Sequence, residues 1–292
     1  MTYCVAMCLD DGLVFLSDTR TNAGVDHIST ARKMSVFEEP GERLLVLLSA
    51  GNLSLTQSVL QTLSESTDSA KPTLWSVSTV AEAARVVGEA VRQVYQREAH
   101  ALQEFGVDFN CSFILGGQIG SDSGVPAAPR LFLIYSAGNF IEASSVSPYF
   151  QIGESKYGKP IIDRVLTPST PLDEAAKCAL ISMDSTLRSN LSVGLPLDLL
   201  VYEKDSLRVT RYVTVDNENA YFGMIHRTWG EQLRRVFGSI PDPVWENSDD
   251  VPLRQRGIAP MVPHNGAHGA HAQSEHHPAQ TLAQADKTKA QH

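Results

Sequence analysis

Apolar residues come in short unbroken blocks near the start of this chain and at helical spacing further along. Tyr3-Cys4-Val5-Ala6-Met7-Cys8-Leu9 is such a block and predicts a buried strand. Asp10-Asp11-Gly12 supplies a tight turn, and Leu13-Val14-Phe15-Leu16 predicts the returning strand, which runs into Ser17-Asp18-Thr19-Arg20. The hairpin brings Asp18 back beside residue 2. A polar loop is expected from Thr21 to Ser29. Arg32 to Phe37 predicts a third strand with Lys33 near its start. Beyond the turn Glu39-Pro40-Gly41-Glu42, Leu44 to Leu48 predicts a fourth that ends at Ser49-Ala50-Gly51-Asn52.

The pattern then changes period. Asn52 is a helix cap ahead of Leu55, Val59, Leu60 and Leu63. Thr79-Val80-Ala81-Glu82 is a capping box, and Val80, Ala84, Val87, Val91 and Val94 follow at spacings of three and four. Asn110 to Gly117 and Leu131 to Tyr135 predict central strands, and the turn Ala137-Gly138-Asn139 leads to Phe140-Ile141-Glu142. Thr170-Pro171 predicts a cap followed by proline at the first helical position, with Leu172, Ala176, Ala179, Met183 and Leu187 on one face. Leu197 to Tyr202 and Leu207 to Val215 predict a closing hairpin across Glu203 to Ser206. Strands, helices, strands, helices and strands in that order are the sequence of an α+β protein built as a four-layer αββα sandwich.

The chemistry begins at Thr2. Methionine ahead of a small residue is normally removed, which would leave Thr2 with a hydroxyl and a free α-amine on one residue. Such an amine can serve as base for its own hydroxyl. Its ordinary pKa is roughly 7.7–8.0, so part of it is neutral at working pH.

With these pieces the chain resembles the proteasome β-subunit family of N-terminal nucleophile hydrolases, and within it the bacterial Anbu branch of ancestral-β-like homologues. The resemblance is carried by Thr2, Ser17-Asp18-Thr19-Arg20, Lys33, Ser49-Ala50-Gly51 and Ser189-Asn190-Leu191-Ser192-Val193-Gly194, and runs from Thr2 to about Val215. It implies a threonine-type peptidase or amide hydrolase that works through an acyl-enzyme and needs no cofactor and no metal. Lys33 is then the cation that stabilises the alkoxide, Asp18 its neutralising partner, and the Gly51 N–H the oxyanion donor. Arg20, Glu154, Ser189 and Ser192 support the centre, and Asn22, Ala31 and Ser49 line the substrate pocket or its cleft. Each residue also has a plain structural reading. Lys33 fits a solvated strand-end lysine, Asp18 and Arg20 a turn ion pair, and Gly51 a turn residue before a cap.

Two departures from the family pattern bear on the Thr2 amine. Ser189 stands where the second loop usually carries an aspartate, three residues before the serine matched by Ser192. The Gly-Ser-Gly element reads Gly153-Glu154-Ser155, so Glu154 is either a nearby carboxylate or a helix-start acid. These departures keep two further readings open: a non-catalytic assembly scaffold, and an amidase for a specialised small amide or peptide conjugate.

The catalytic-type domain is expected over 1–218 and a helical extension over 219–248, where Tyr221 to Phe237 carries Trp229. That helix resembles the Anbu extension that contacts a neighbouring subunit; packing on its own subunit is the alternative. A disordered His-, Ala- and Gln-rich tail is expected over 249–292. The resemblance implies a homo-oligomer, a ring or ring-like stack, acting on a peptide or amide. A net charge of -9 argues against nucleic acid as the main partner. The chain has no segment apolar enough to span a membrane, no secretory signal and no ATP-binding loop, so any unfolding ATPase would be a separate protein. Cys4, Cys8, Cys111 and Cys178 read as buried free thiols of a cytoplasmic protein.

Overall fold

The computed structural model describes residues 2–23, 27–65, 71–121 and 126–244. Met1 and the expected C-terminal tail lie outside the described residues. One compact unit runs to Ser239, and Ile240–His292 forms a second, of which 240–244 are described.

Strands β1 (Tyr3–Leu9), β2 (Gly12–Asp18), β3 (Arg20–Ala23), β4 (His27–Thr30), β5 (Met34–Glu39) and β6 (Arg43–Gly51) precede helices α1 (Leu53–Ser64) and α2 (Val80–Glu104). Strands β7 (Cys111–Ile119), β8 (Arg130–Ile134), β9 (Phe140–Glu142) and β10 (Tyr149–Gly153) lead to α3 (Lys159–Val165) and α4 (Leu172–Ser189). The hairpin β11 (Leu197–Glu203) and β12 (Arg211–Val215) and the helix α5 (Ala220–Ser239) follow.

Ten of the strands form two five-stranded sheets, ordered β10-β1-β2-β11-β12 and β5-β6-β7-β8-β9. Strand periodicity sorts their side chains into three cores. Cys4, Ala6, Leu13, Phe15 and Leu200 of the first sheet meet Leu44, Val46, Leu48 and Ile114 of the second. On the outer face of the first sheet Tyr3, Val5 and Met7 pack on α4 through Ala175, Ala179 and Met183. On the outer face of the second, Leu45, Leu47 and Phe113 pack on α1 and α2 through Val59, Val87 and Val91. The order is helices, sheet, sheet, helices, as the sequence predicts. The two sheets approach closely where a Cβ built on Gly116 would stand 2.8 Å from the Phe15 ring and from Leu131.

Local chemistry explains the helix starts. Asn52 Oδ1 accepts the Ser54 N–H at 3.0 Å. Thr79 Oγ1 accepts the Glu82 N–H at 3.2 Å, while Glu82 reaches past the cap to the Ser78 N–H at 3.0 Å. The expected cap at Thr170 is displaced: Pro171 is the cap residue, because the Thr170 hydroxyl instead accepts the Thr167 N–H at 2.9 Å.

Other expectations are corrected. Residues 20–23 and 27–30 are not loop but a two-stranded ribbon, Arg20 opposite Thr30. The last strand begins at Arg211 rather than Leu207, where φ of +43° breaks the extended backbone. Cys4, Cys111 and Cys178 are buried free thiols, whereas Cys8 is only half-buried. Among the described residues no helix is long and apolar enough to cross a membrane.

Candidate active site

The strand order brings the candidate residues to one end of the sandwich. Thr2 stands just before β1, Asp18 at the end of β2, Lys33 just before β5, Gly51 at the end of β6 and Gly153 at the end of β10. The loop 190–194 enters the same end between α4 and β11.

Thr2 is 8% exposed. Side chains alternate along β1, and Cys4 and Ala6 point between the sheets, so the Thr2 side chain faces the same interlayer space. Its neighbour Tyr3 faces the other way. The Tyr3 hydroxyl lies 2.7 Å from Ser182 Oγ on α4 and accepts a hydrogen bond from Gln151 Nε2 at 2.7 Å. The backbone beside Thr2 is thereby clamped from outside the site.

Lys33 and Asp18 form a buried ion pair, Nζ to Oδ1 at 2.6 Å, with Lys33 6% and Asp18 0% exposed. Lys33 Nζ also donates to the Arg20 carbonyl at 2.6 Å. Asp18 accepts the Tyr3 N–H at 3.0 Å and the Gly194 N–H at 3.4 Å. One carboxylate therefore ties the lysine, the first strand and the second loop together. Burial pushes the Asp18 carboxyl above its ordinary value, and Lys33 and the two backbone donors oppose that shift. Lys33 is thus no solvated lysine, and Arg20 does not pair with Asp18. Arg20 Nη1 donates to Leu191 O at 3.0 Å and to Val193 O at 3.5 Å, fastening the loop. The space beside Gly194 is filled by this guanidinium, whose Cζ would stand 2.1 Å from a Cβ there.

At the β6 end, the Ser49 N–H donates to Lys33 O at 2.9 Å and its hydroxyl lies 3.4 Å from the same oxygen. The Ser49 carbonyl accepts the Cys4 thiol at 3.6 Å, linking β6 to β1 across the layers. Burial, with Asp18 nearby, pushes the Cys4 thiol far above its ordinary value, which leaves it inert although it shares a face with Thr2. Gly51 is exposed and has φ of +113°; a side chain there would strike the Asn110 carbonyl oxygen at 2.3 Å. Ala31 is half-buried and donates its N–H to Thr19 O at 2.7 Å, and Asn22 lies in β3 opposite Ile28.

The remaining candidates divide. Glu154 is buried, and its N–H donates to Thr2 O at 2.7 Å. It is not a helix-start acid, because the cap of α3 is Gly158. Ser192 is half-buried and its N–H donates to Asn190 Oδ1 at 2.9 Å. Ser189 ends α4 and is exposed, whereas its neighbour Asn190 is buried and donates to Glu154 Oε2 at 3.1 Å. Asn190, Tyr3, Gly153 and Gly194 are the contributors that residue-by-residue reading passes over. The glycines were visible in the motifs as backbone elements, but the direction of the Asn190 side chain was not.

A groove of about 1090 Å³ runs along α1 and α2, past Thr62, Ser76, Arg85 and Arg97. It belongs to a helical layer, and the candidate residues stand elsewhere, at the strand ends.

No family model and no curated protein matches the chain. Solved structures do. Anbu (ancestral beta-subunit) from Yersinia bercovieri is 53% identical over 84% of this chain and all of that one, with a TM-score of 0.77. A Gly-1 mutant of Anbu from Hyphomicrobium sp. strain MC1 is 47% identical over 84% of this chain and all of that one, with a TM-score of 0.77. Anbu from Pseudomonas aeruginosa, described as a helical assembly of the Anbu complex, is 50% identical over 83% of this chain and 98% of that one, again at 0.77.

Proposed function

The chain belongs to the Anbu family of proteasome-related proteins, and from that premise we propose that it is a threonine-type amide hydrolase whose nucleophile is Thr2 once Met1 is removed. The observation that carries the reading is the Lys33–Asp18 pair, buried at the end of the sandwich where Thr2 leads into β1. An ammonium held in low dielectric favours the alkoxide form of a neighbouring hydroxyl, and its carboxylate partner keeps it charged.

The chemistry balances as acyl transfer. Thr2 Oγ bonds to the substrate carbonyl carbon while its proton passes to the Thr2 α-amine. The developing oxyanion takes the Gly51 N–H. The C–N bond then breaks, the ammonium gives its proton to the leaving nitrogen, and an ester remains on Thr2. Water attacks that ester with the amine as base, which releases the acid and restores the hydroxyl. Asn22, Ala31 and Ser49 border the cleft for a peptide or amide substrate. Arg20 and Ser192 keep the second loop in place.

The protein acts as a homo-oligomer, a ring or ring-like stack, in keeping with the helical assembly described for the Pseudomonas aeruginosa relative. α5 supplies the contact: beyond Phe222 and Ile225, which pack on its own subunit, it leaves Leu233, Val236 and Phe237 exposed. The free thiols fit a reducing cytoplasm.

Intact-mass spectrometry before and after a β-lactone or epoxyketone electrophile tests the reading. Loss of Met1 and a single adduct on Thr2, absent from Thr2→Ala, is the expected result. A processed N-terminus that takes no adduct would sink the hydrolase reading and leave an assembly scaffold.

A further inference from the structure

Two buried polar side chains meet just past β10, where the backbone touches Thr2, without belonging to the Lys33–Asp18 pair. Glu154 is 6% and Asn190 8% exposed. Asn190 Nδ2 donates to Glu154 Oε2 at 3.1 Å, and Glu154 Oε1 accepts the Lys156 N–H at 3.1 Å. Both oxygens therefore act as acceptors. This carboxylate belongs to the residue whose backbone N–H donates to Thr2 O. Gly153 turns the chain there with φ of +81°, and a Cβ on it would stand 2.0 Å from Thr2 O, so the two backbones are in contact. Asn190 is fixed in turn from the other side. Its Oδ1 accepts the Ser192 N–H, and the loop it opens ends with the Gly194 N–H on Asp18. A closed circuit of hydrogen bonds thus runs from Thr2 through Glu154, Asn190 and the second loop to Asp18, and back through the Tyr3 N–H.

We propose that Glu154 is the carboxylate that sets the basicity of the Thr2 α-amine, and that Asn190 is a positioning residue that holds it in place. This rests on the Thr2 reading above. A negative charge beside an amine favours its protonated form and makes it a stronger base. The exposed Ser189 leaves the second loop without its usual carboxylate, and Glu154, reached through Asn190, supplies one from the residue after β10. The other charged or titratable groups on the elements that meet at this end are Asp18, Lys33, Arg20, Cys4, Lys156 and Tyr3, whose hydroxyl faces Ser182 on α4. Lys33 is neutralised by Asp18, Arg20 is spent on loop carbonyls, Cys4 stays protonated and Lys156 is exposed to solvent. Removing the charge of Glu154 is therefore the change that the amine registers.

The test is competitive acetylation of the whole protein with acetic anhydride across pH, read by mass on the N-terminal peptide. It titrates the α-amine without calling on the hydroxyl. Glu154→Gln is expected to lower the amine pKa by roughly one unit. Asn190→Ala is expected to lower it by less, and the double variant by no more than Glu154→Gln alone, because Asn190 acts through Glu154. An unchanged titration in Glu154→Gln overturns the proposal, and an additive shift in the double variant overturns the role of Asn190. Glu154→Gln keeps the side-chain shape and decides the main point even where Asn190→Ala does not fold. Lactone labelling of the same samples is scored separately. No adduct on the wild-type chain defeats the hydrolase reading, while the amine titration still judges Glu154. Retention of Met1 defeats both.

Discussion

Lys33 Nζ sits 2.6 Å from Asp18 Oδ1, two residues that the β2 end and the β5 approach bring together from fifteen positions apart. Both are buried, so their attraction is set against the cost of taking two charges out of water. Lys33→Ala leaves Asp18 a buried charge with only backbone donors, and should destabilise the fold by about 3–5 kcal/mol. Replacing both, as Lys33→Met with Asp18→Leu, should recover much of that loss while reaction at Thr2 stays abolished. Denaturant unfolding set beside electrophile labelling separates the two effects. Equal stability of the single and double variants would contradict this account of the pair.

Arg20 occupies the volume that a side chain at position 194 would need. Gly194→Ala should evict the guanidinium and cost about 1–3 kcal/mol, the scale of its lost bonds to the Leu191 and Val193 carbonyls. In an Arg20→Ala background the same change should be nearly neutral. A double-mutant cycle measures this coupling directly.

Gly51 and Gly153 differ from Gly194 because their neighbours are backbone. At both positions φ is positive, and the obstructing atoms are the carbonyl oxygens of Asn110 and Thr2. Alanine at either site should cost at least about 1–3 kcal/mol of backbone strain, with no compensating side-chain movement available. Gly153→Ala should in addition slow labelling of Thr2, since it displaces that residue's own carbonyl. Unchanged labelling kinetics in a folded Gly153→Ala protein would contradict the close approach.

The cysteines give the fold an alkaline weakness. Burial pushes the thiols of Cys8, Cys111 and Cys178 up to about 11. In the unfolded chain they ionise near their ordinary value of about 8.5. Raised folded-state values mean that stability is fully present below about pH 8.5 and is lost as pH rises toward 11. Melting temperatures recorded from pH 7 to 10.5 should fall over the upper part of that range. Cys178→Ala should flatten the fall, with a small loss of packing at neutral pH.

The exposed apolar side chains of α5 offer a handle on assembly. Leu233→Glu with Phe237→Arg should reduce the mass seen by light scattering and leave the helical circular dichroism of the subunit in place. An unchanged mass would remove α5 from the subunit contact.

The sandwich was legible in the sequence because its strands are continuous apolar blocks and its long helices repeat at three and four. The residues that escaped are those without such a signal. Arg20 to Ala23 and His27 to Thr30 pair as a polar ribbon with no apolar alternation, so composition alone reads them as loop. β10 and α3 are short, and the β10 segment announced itself only through Gly153-Glu154-Ser155. Pro171 rather than Thr170 caps α4 because a hydroxyl that fits a cap also fits the turn before it. At the candidate site the family motifs named Thr2, Asp18, Lys33 and Gly51. The swap of an exposed Ser189 for a buried Asn190 depends on the last turn of α4, which no one-dimensional spacing records.

Phe15 and Gly116 touch in the middle of the interlayer core, several residues in from the strand ends. The width of that contact is the gauge of the whole sandwich. Thr2 hangs from one plate and Gly51 from the other, so the clearance between them is machined at a point neither residue reaches. A methyl group added at Gly116 would act as a shim, prising the jaws apart at the far end against the Lys33–Asp18 and Cys4–Ser49 links that bridge them.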